Sequence, residues 1–251
     1  MKVHIGCSGW FYWGWRGTFY PEGCPTHRWF EHYTKHFATC ELNAPFYSWP
    51  KRSSVQCWIR QAPRRFSYSI KVNRMITHDF RMDGVKMLVE QFYLDVAEPL
   101  GDRLACFLFQ FPPSFRYTKT RLAKVLKHLD PRYRNVIEFR HKSWWNADTY
   151  RAVRKARAIM CTVSAPRLPD KLIVSHGRAY LRLHGTSRWY RHDYSNEELS
   201  AWAARIRDSG AEEVWIYFDN DRDAHAIHNA KTLAKLLKRG AVAPMAELQK
   251  N

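Results

Sequence analysis

The chain has no apolar run of the roughly 18–20 residues that a membrane-spanning helix needs, so no protein of that kind is expected. Its amino terminus, MKVHIGCSGW, lacks the apolar stretch of a signal peptide and reads directly as a strand. Six cysteines (7, 24, 40, 57, 106 and 161) are dispersed without a C-x-x-C pair. A disulfide framework is therefore not expected, and the thiols in apolar runs read as the small reduced hydrophobes of a cytoplasmic protein. No Gly-rich phosphate turn follows the first strand, where GCSGWFYWGW is mostly aromatic. Nucleophile elbows, P-loops, cofactor fingerprints and H-x-H or H-E-x-x-H spacings are all missing. So are Ser/Gly linkers, low-complexity tracts and short repeats, and the 251 residues read as one domain spanning 1–251.

Acidic residues are also scarce. There are 23 Asp and Glu against 41 Lys and Arg, a formal net charge of +18. Between Arg116 and Arg157, 13 basic residues meet only Asp130, Glu138 and Asp148, which places +10 of the +18 in one stretch. Such a stretch is either a face for nucleic acid or a solvated pair of outer helices.

What the sequence does have is alternation. Strand-like runs occur at 3–7, 39–43, 67–72, 104–111, 135–140, 159–164, 179–184 and 214–218. Helix-like runs fall at 26–37, 53–61, 84–99, 119–129, 147–157, 195–208 and 224–239. Ser195 and Glu198 have the spacing of a capping box, and Asp223 is placed to cap the last helix. Only a short Pro-rich stretch separates the sixth and seventh strands, so one helix is expected to be short or missing. Eight strand–helix units predict an α/β fold, a (β/α)8 TIM-type barrel, with an open doubly wound sheet as the alternative.

Residues two apart in a strand face the same way. By that rule polar side chains share one face late in seven of the eight strands. They are Ser8 with Trp10, Glu41 with Asn43, Ser69 with Lys71, Gln110, Glu138 with Arg140, Arg182 with His184, and Tyr217 with Asp219 and Asp221. Unpaired buried charges cost several kcal/mol. These groups must pair with one another, bind a ligand or stay wet, and barrel active sites lie at this end of the strands.

The ordered motifs GCSGWFYWGWRGTFYP, ELNAPFYSWP, FSYSIKVNRMITH, FQFPPSF, IEFRHKSW, YLRLHG and YFDNDRDAHAIHNA span nearly the whole chain. Together they resemble the DUF72 (YecE-like) family. That resemblance implies a (β/α)8 barrel and names no reaction. The likeness of such barrels to the endonuclease IV type suggests nucleic acid by analogy of fold. The motif positions fall on Trp10, Glu41, Asn43, Phe46, Tyr47, Lys71, Thr77, His78, Gln110, Pro112, Pro113, Glu138, Arg140, Trp144, Arg182, His184, Gly185, Asn220 and Asn229. Two departures stand out. Ala44-Pro45 replaces small hydroxyl residues, and Asp219-Asn220 stands where the family has an Asn-Asn type of pair.

The chemistry expected of these residues is acid–base and anion-binding. Glu41 and Glu138 form a candidate carboxylate pair, His184 a proton carrier, and Asp219 a secondary catalytic group. Lys71, Arg140 and Arg182 can converge on phosphate. Trp10, Asn43, Tyr47, His78, Gln110, Trp144 and Asn220 complete the expected substrate-binding set. Rings at Trp10, Trp13, Trp15, Tyr47, Trp144, Trp145, Trp189 and Tyr190 either stack on bases or sugars or pack as lids. No cofactor is evident. A divalent metal would draw on Glu41, His78, Glu138, His184, Asp219 and Asp221, but no ligand spacing indicates it. The expected partner is an anionic, phosphate- or sugar-bearing ligand, DNA or RNA included, and not a membrane. Three functions stay open: a hydrolase of phosphoester or glycosidic bonds, a carbohydrate-active or other small-molecule enzyme using the carboxylate pair, and a non-catalytic nucleic-acid binder using the 116–157 face.

Overall fold

Apolar runs bounded by turn residues become strands here, and the amphipathic runs between them become helices. The computed structural model describes residues 1–239, so the end of the expected 1–251 span lies outside the described residues. The strands are β1 (Lys2–Cys7), β2 (Thr39–Leu42), β3 (Ser67–Lys71), β4 (Leu104–Phe111), β5 (Asn135–Phe139), β6 (Ile159–Met160), β7 (Thr162–Ser164), β8 (Arg178–Leu183) and β9 (Glu213–Phe218). The helices are α1 (Trp29–Thr34), α2 (Ala44–Tyr47), α3 (Arg52–Gln61), α4 (Lys86–Leu100), α5 (Lys119–Lys127), α6 (Ala147–Lys155), α7 (Asn196–Arg207) and α8 (His225–Arg239).

These strands form two parallel sheets, ordered β1-β9-β8-β7 and β2-β3-β4-β5-β6. The sheets abut at two seams. At the first, the expected strand 159–164 is broken only at Cys161, whose N–H still bonds the Ile137 carbonyl of β5 at 2.8 Å. Its first piece, β6, pairs with β5 and its second, β7, with β8. At the second seam, Ser8 makes an isolated parallel bridge to Glu41, and the Cys40 thiol donates to the Cys7 carbonyl at 3.3 Å.

Two apolar clusters follow from the period of two. On β8, Ala179, Leu181 and Leu183 join the large cluster under the helices, while Tyr180 joins a smaller one. Val214, Ile216 and Phe218 on β9 likewise face the helices, and Trp215 and Tyr217 face away from them. The smaller cluster draws on both sheets: Cys106 and Leu108 of β4 and Val136 of β5 meet Val163, Tyr180, Trp215 and Tyr217. Tyr217 Oη also bridges the sheets, bonded to Thr39 Oγ1 at 2.7 Å and to Ser69 Oγ at 3.0 Å.

Local chemistry explains where the elements begin and end. Ser195 and Glu198 form the expected capping box at α7, while Thr118 caps α5 and Asn146 caps α6. Asp223 is not a cap. It sits in a left-handed conformation at φ 54° inside the turn before α8, and its carboxylate accepts from Arg222 Nε at 3.2 Å. The expected helix 26–37 is a 3-10 turn (Thr26–Arg28) followed by the short α1. No helix joins β7 to β8, as the Pro-rich stretch predicted. Among the described residues no helix is long and apolar enough to cross a membrane.

The second seam requires a glycine. A Cβ on Gly6 would lie 2.3 Å from the Thr39 carbonyl oxygen and 3.0 Å from Tyr33 Oη. Gly6→Ala is therefore expected to destabilise by about 1–3 kcal/mol through overpacking. Gly14→Ala, whose Cβ meets nothing within 4 Å, is the control. Thermal unfolding of the two variants checks this, and an unchanged Tm for Gly6→Ala would show that β1 and β2 do not need this close approach.

Candidate functional site

Tyr180, Arg182 and His184 alternate onto the inner face of β8 and its extension, which brings a guanidinium to the carboxyl-terminal ends of the strands. Arg182 is fully buried. Its Nε donates to both oxygens of Glu41, at 3.0 and 2.9 Å. Nη2 donates to Glu41 Oε1 at 2.5 Å, to Asp219 Oδ2 at 2.9 Å and to Ser8 Oγ at 3.1 Å. Nη1 donates to Glu138 Oε2 at 2.7 Å. Glu41 also accepts from Tyr180 Oη at 2.7 Å and from Ser8 Oγ. Burial opposes charge on Arg182, but Glu138, Glu41 and Asp219 outweigh it and hold the guanidinium charged well above its usual range. Burial likewise works against ionised Glu138, and Arg182 with Arg140 still keeps that carboxyl well below the usual range.

His184 closes the inner layer. Its Nε2 lies 3.3 Å from Arg182 Nη1. A guanidinium has no acceptor, so that contact is a hydrogen bond only through a lone pair on Nε2, which also lies 3.6 Å from Glu138 Oε1; the other ring nitrogen is Nδ1. That atom is 2.9 Å from Asp219 Oδ2 but is poorly aligned for a hydrogen bond.

The outer layer is more open. Arg140 Nε donates to Glu138 Oε1 at 2.7 Å and Nη1 to Tyr190 Oη at 2.8 Å, with its Cζ 4.8 Å above the Trp189 ring. Gly185, at φ 117°, makes the turn that brings Trp189 and Tyr190 over His184, since a Cβ there would lie 2.5 Å from the Arg188 carbonyl oxygen. Lys71 ends β3 and is only 7% exposed. Its Nζ lies 4.0 Å from the centre of the Phe46 ring and has no hydrogen-bond or ion-pair partner among the described residues. Burial, reinforced by Arg182 and Arg140, lowers its pKa to about 8. His78 packs edge-on against the same Phe46 ring. Burial and then Lys71 lower the His78 pKa to about 4, and its Nε2 approaches Gln110 Nε2 at 3.5 Å. Asp221 is pushed up to about 6 by burial and by Asp219.

The structure thus gathers Glu41, Glu138, Arg182, His184 and Asp219 into one network, with Lys71, His78, Gln110 and Arg140 around it. Other expected residues lie elsewhere. Trp144 is fully buried, stacked on Phe139 at 3.8 Å, with Nε1 donating to the Phe115 carbonyl, so its ring has no free face. Asn220 braces the 192–194 loop through the His192 carbonyl and Asn229 Oδ1, both at 2.7 Å. Asn43 donates to Ser8 Oγ at 2.8 Å, and Trp10 packs on Phe30. Trp15 is buried, with Nε1 on the Asp221 carbonyl. Tyr47 is 73% exposed and forms a rim at the strand ends with exposed Phe11, Trp13, Met75, Phe80 and Tyr190.

The 116–157 stretch is divided. Arg140 turns inward, Arg134 lies over Trp215, Lys124 pairs with Asp83 at 2.8 Å and Arg132 with Asp130 at 2.5 Å. Lys119, Arg151 and Lys155 flank a groove of about 360 Å³ between α5 and α6. Among the described residues, no three His, Cys, Asp or Glu side chains are grouped as a metal ion would need. Sequence reasoning passed over Tyr180 as a member of the network, although its place two residues before Arg182 on β8 was the available signal.

A family described as "Protein of unknown function DUF72" matches residues 4–250. The chain is 26% identical over 269 residues to the UPF0759 protein YunF of Bacillus subtilis, covering 94% of each. A solved DUF72 family protein from Thermotoga maritima superposes with a TM-score of 0.86 at 27% identity, covering 95% of this chain and 100% of that one. One from Enterococcus faecalis gives a TM-score of 0.82 at 20% identity, over 94% and 96%, a likeness of fold alone.

Two stability measurements probe the network. Arg182→Leu leaves three carboxylates facing one another and is expected to cost about 3–5 kcal/mol, part of which a second change, Glu41→Gln, restores. If Arg182→Leu unfolds like wild type in denaturant, the network does not hold these strand ends. Lys71→Met should act in the opposite sense. The folded pKa is depressed, so between about pH 8 and 10.5 the unfolded chain keeps a proton that the folded chain has released, and this group's contribution to stability rises with pH. Replacing it should stabilise the fold at pH 7, by at most about 3 kcal/mol, and should flatten stability between pH 8 and 10. A lower Tm for Lys71→Met at pH 7 would count against an uncompensated ammonium.

Proposed function

We propose, for a chain that belongs to the DUF72 family of proteins of unknown function, that its strands close into a (β/α)8 barrel whose carboxyl-terminal mouth binds a small anionic ligand between Lys71 and Arg140. Closure is supported by the two seams, by the inner cluster common to both sheets and by the Tyr217 bridge. The ligand reading is carried by one observation: every carboxylate of the network is engaged by Arg182 or Arg140, and the buried ammonium of Lys71 is left without an acceptor. A buried charge without a partner is costly, and a phosphate, sulfate or carboxylate supplies the missing oxygen. Arg140 Nη2 has no partner among the described residues and can share that anion.

Arg182 is not an anion binder in this reading, because each of its nitrogens is already engaged within the network. The same guanidinium bridges Glu41 and Glu138, so an acid–base role rests on Glu138, which faces Arg140 and His184 nearer the mouth, rather than on the two carboxylates as a pair. A nucleic-acid reading is favoured by the rim. Exposed Phe11, Trp13, Tyr47 and Tyr190 lie in segments beyond the strand ends that also carry exposed Arg16, Arg74, Arg81, Arg188 and Arg191, a combination suited to stacking the bases of a single strand.

Calorimetric titration with inorganic phosphate, then with mononucleotides and single-stranded oligonucleotides, tests both readings. Phosphate should bind, and Lys71→Met should weaken it about tenfold or more, equivalent to about 1.4 kcal/mol. Affinity should be present below pH 8 and fall as pH rises through 8, where Lys71 loses its proton. Oligonucleotide binding with a steep log–log salt slope would favour the rim. Failure of all three to bind at low salt, or phosphate binding untouched by Lys71→Met, removes the proposal.

A further inference from the structure

We infer that Lys71 is a nucleophilic amine and that the ligand of the mouth carries an aldehyde or ketone beside its anionic group, with which Lys71 forms an imine. This rests on the anion-site reading only for the choice of ligand class.

Three observations point there. Lys71 is the one lysine among the described residues that is buried. No carboxylate lies within ion-pair distance of its Nζ, although three stand in the adjoining network, each on a guanidinium. An ion pair would hold the nitrogen as ammonium, and its absence leaves the lone pair obtainable. The Phe46 ring under Nζ offers only its π face, which accepts no conventional hydrogen bond and leaves the amine directed at no protein oxygen or nitrogen acceptor. With burial lowering its pKa to about 8, the neutral fraction at pH 7 exceeds that of an ordinary lysine by roughly a hundredfold. Arg140, turned to the same mouth, can hold the carboxylate or phosphate end of the ligand while the carbonyl meets Nζ.

The chemistry balances without a co-reactant. The nitrogen lone pair forms a C–N bond to the carbonyl carbon, and the C=O π pair moves to oxygen, which takes up a proton as the nitrogen loses one. Loss of that oxygen as water, with a second N–H proton, leaves the C=N bond. Nothing is oxidised or reduced. His78, neutral at pH 7 and packed on the same Phe46 ring, can accept the proton that the nitrogen gives up.

The test is reductive trapping on the full chain. Glyoxylate, an aldehyde beside a carboxylate, is added with sodium cyanoborohydride at pH 7, and adducts are mapped by tryptic mass spectrometry, with and without inorganic phosphate. Lys71 should be labelled at least about tenfold more than any exposed lysine, phosphate should protect it, and Lys71→Arg should lose that label while the surface lysines keep theirs. If Lys71→Arg does not fold, the wild-type map still decides. Labelling spread evenly, with Lys71 no richer than the rest, overturns the inference. Should phosphate bind while Lys71 stays unlabelled, the imine fails and the anion site stands. Lys71 labelled without phosphate binding or protection upholds the imine and removes the anion reading.

Discussion

A guanidinium buried away from water must have every N–H direction answered, and the end of this molecule that matters is built around that demand. Arg182 on β8 draws Ser8 from beyond β1, Glu41 from β2, Glu138 from β5 and Asp219 from beyond β9. One cation therefore sets the relative positions of four strand ends in both sheets. Buried ion networks of this kind rarely add stability over a well-packed apolar core, because desolvation consumes most of the Coulombic gain. What the network provides is position. Removing its centre leaves like charges together, which gives the arrangement one low-energy geometry rather than several.

That demand also decides what is left over. Three carboxylates face three cations at this end of the strands, but the pairing is unequal. Arg182 makes contact with all three acids and Arg140 takes the second oxygen of Glu138. Lys71 gives the cluster neutrality at a distance and receives no contact in return. Its lowered pKa follows from that exclusion: burial first, then two guanidinia nearby, with carboxylates too far away to compensate. The unpartnered amine is thus a product of how the acids are distributed, and the proposed site follows from the structural network without a separate device.

The alternation of elements and the inward parity of the polar residues were legible because a strand's period of two leaves a direct mark on the sequence. Tyr180, Arg182 and His184, or Trp215, Tyr217 and Asp219, need no more than that rule. Pairing was not legible. Which acids meet Arg182 depends on contacts between residues 37 to 141 positions apart, and no local pattern encodes them. Trp144 shows a second limit. Its direction is set by the 3-10 turn after β5 and by a hydrogen bond to Phe115, which turn it into the large apolar cluster instead of toward the mouth. The break at Cys161 is of the same kind, a local backbone choice beside a neighbouring strand, and the left-handed Asp223 is a turn conformation that no periodicity marks. The +10 stretch from Arg116 to Arg157 was legible as charge and not as surface, since its members divide between opposite ends of the strands.

Asp219 joins these threads. By resemblance the family carries an Asn-Asn type of pair here, and in this chain the two positions do different work. Asn220 holds Asn229 and the loop that leads into α7, a role that needs an amide and no charge. Asp219 takes Arg182 and stands against His184 Nδ1, a role in which charge is the point. An amide at 219 could still accept from Arg182, but the network would then hold two acids against two guanidinia, neutral without Lys71. The carboxylate instead leaves the cluster with one negative charge in excess until Lys71 is protonated. It raises the Lys71 pKa and the Asp221 pKa alike, an effect on Lys71 smaller than the lowering by burial and the two guanidinia. The same substitution that departs from the family pattern therefore tunes the residue on which the proposed chemistry depends.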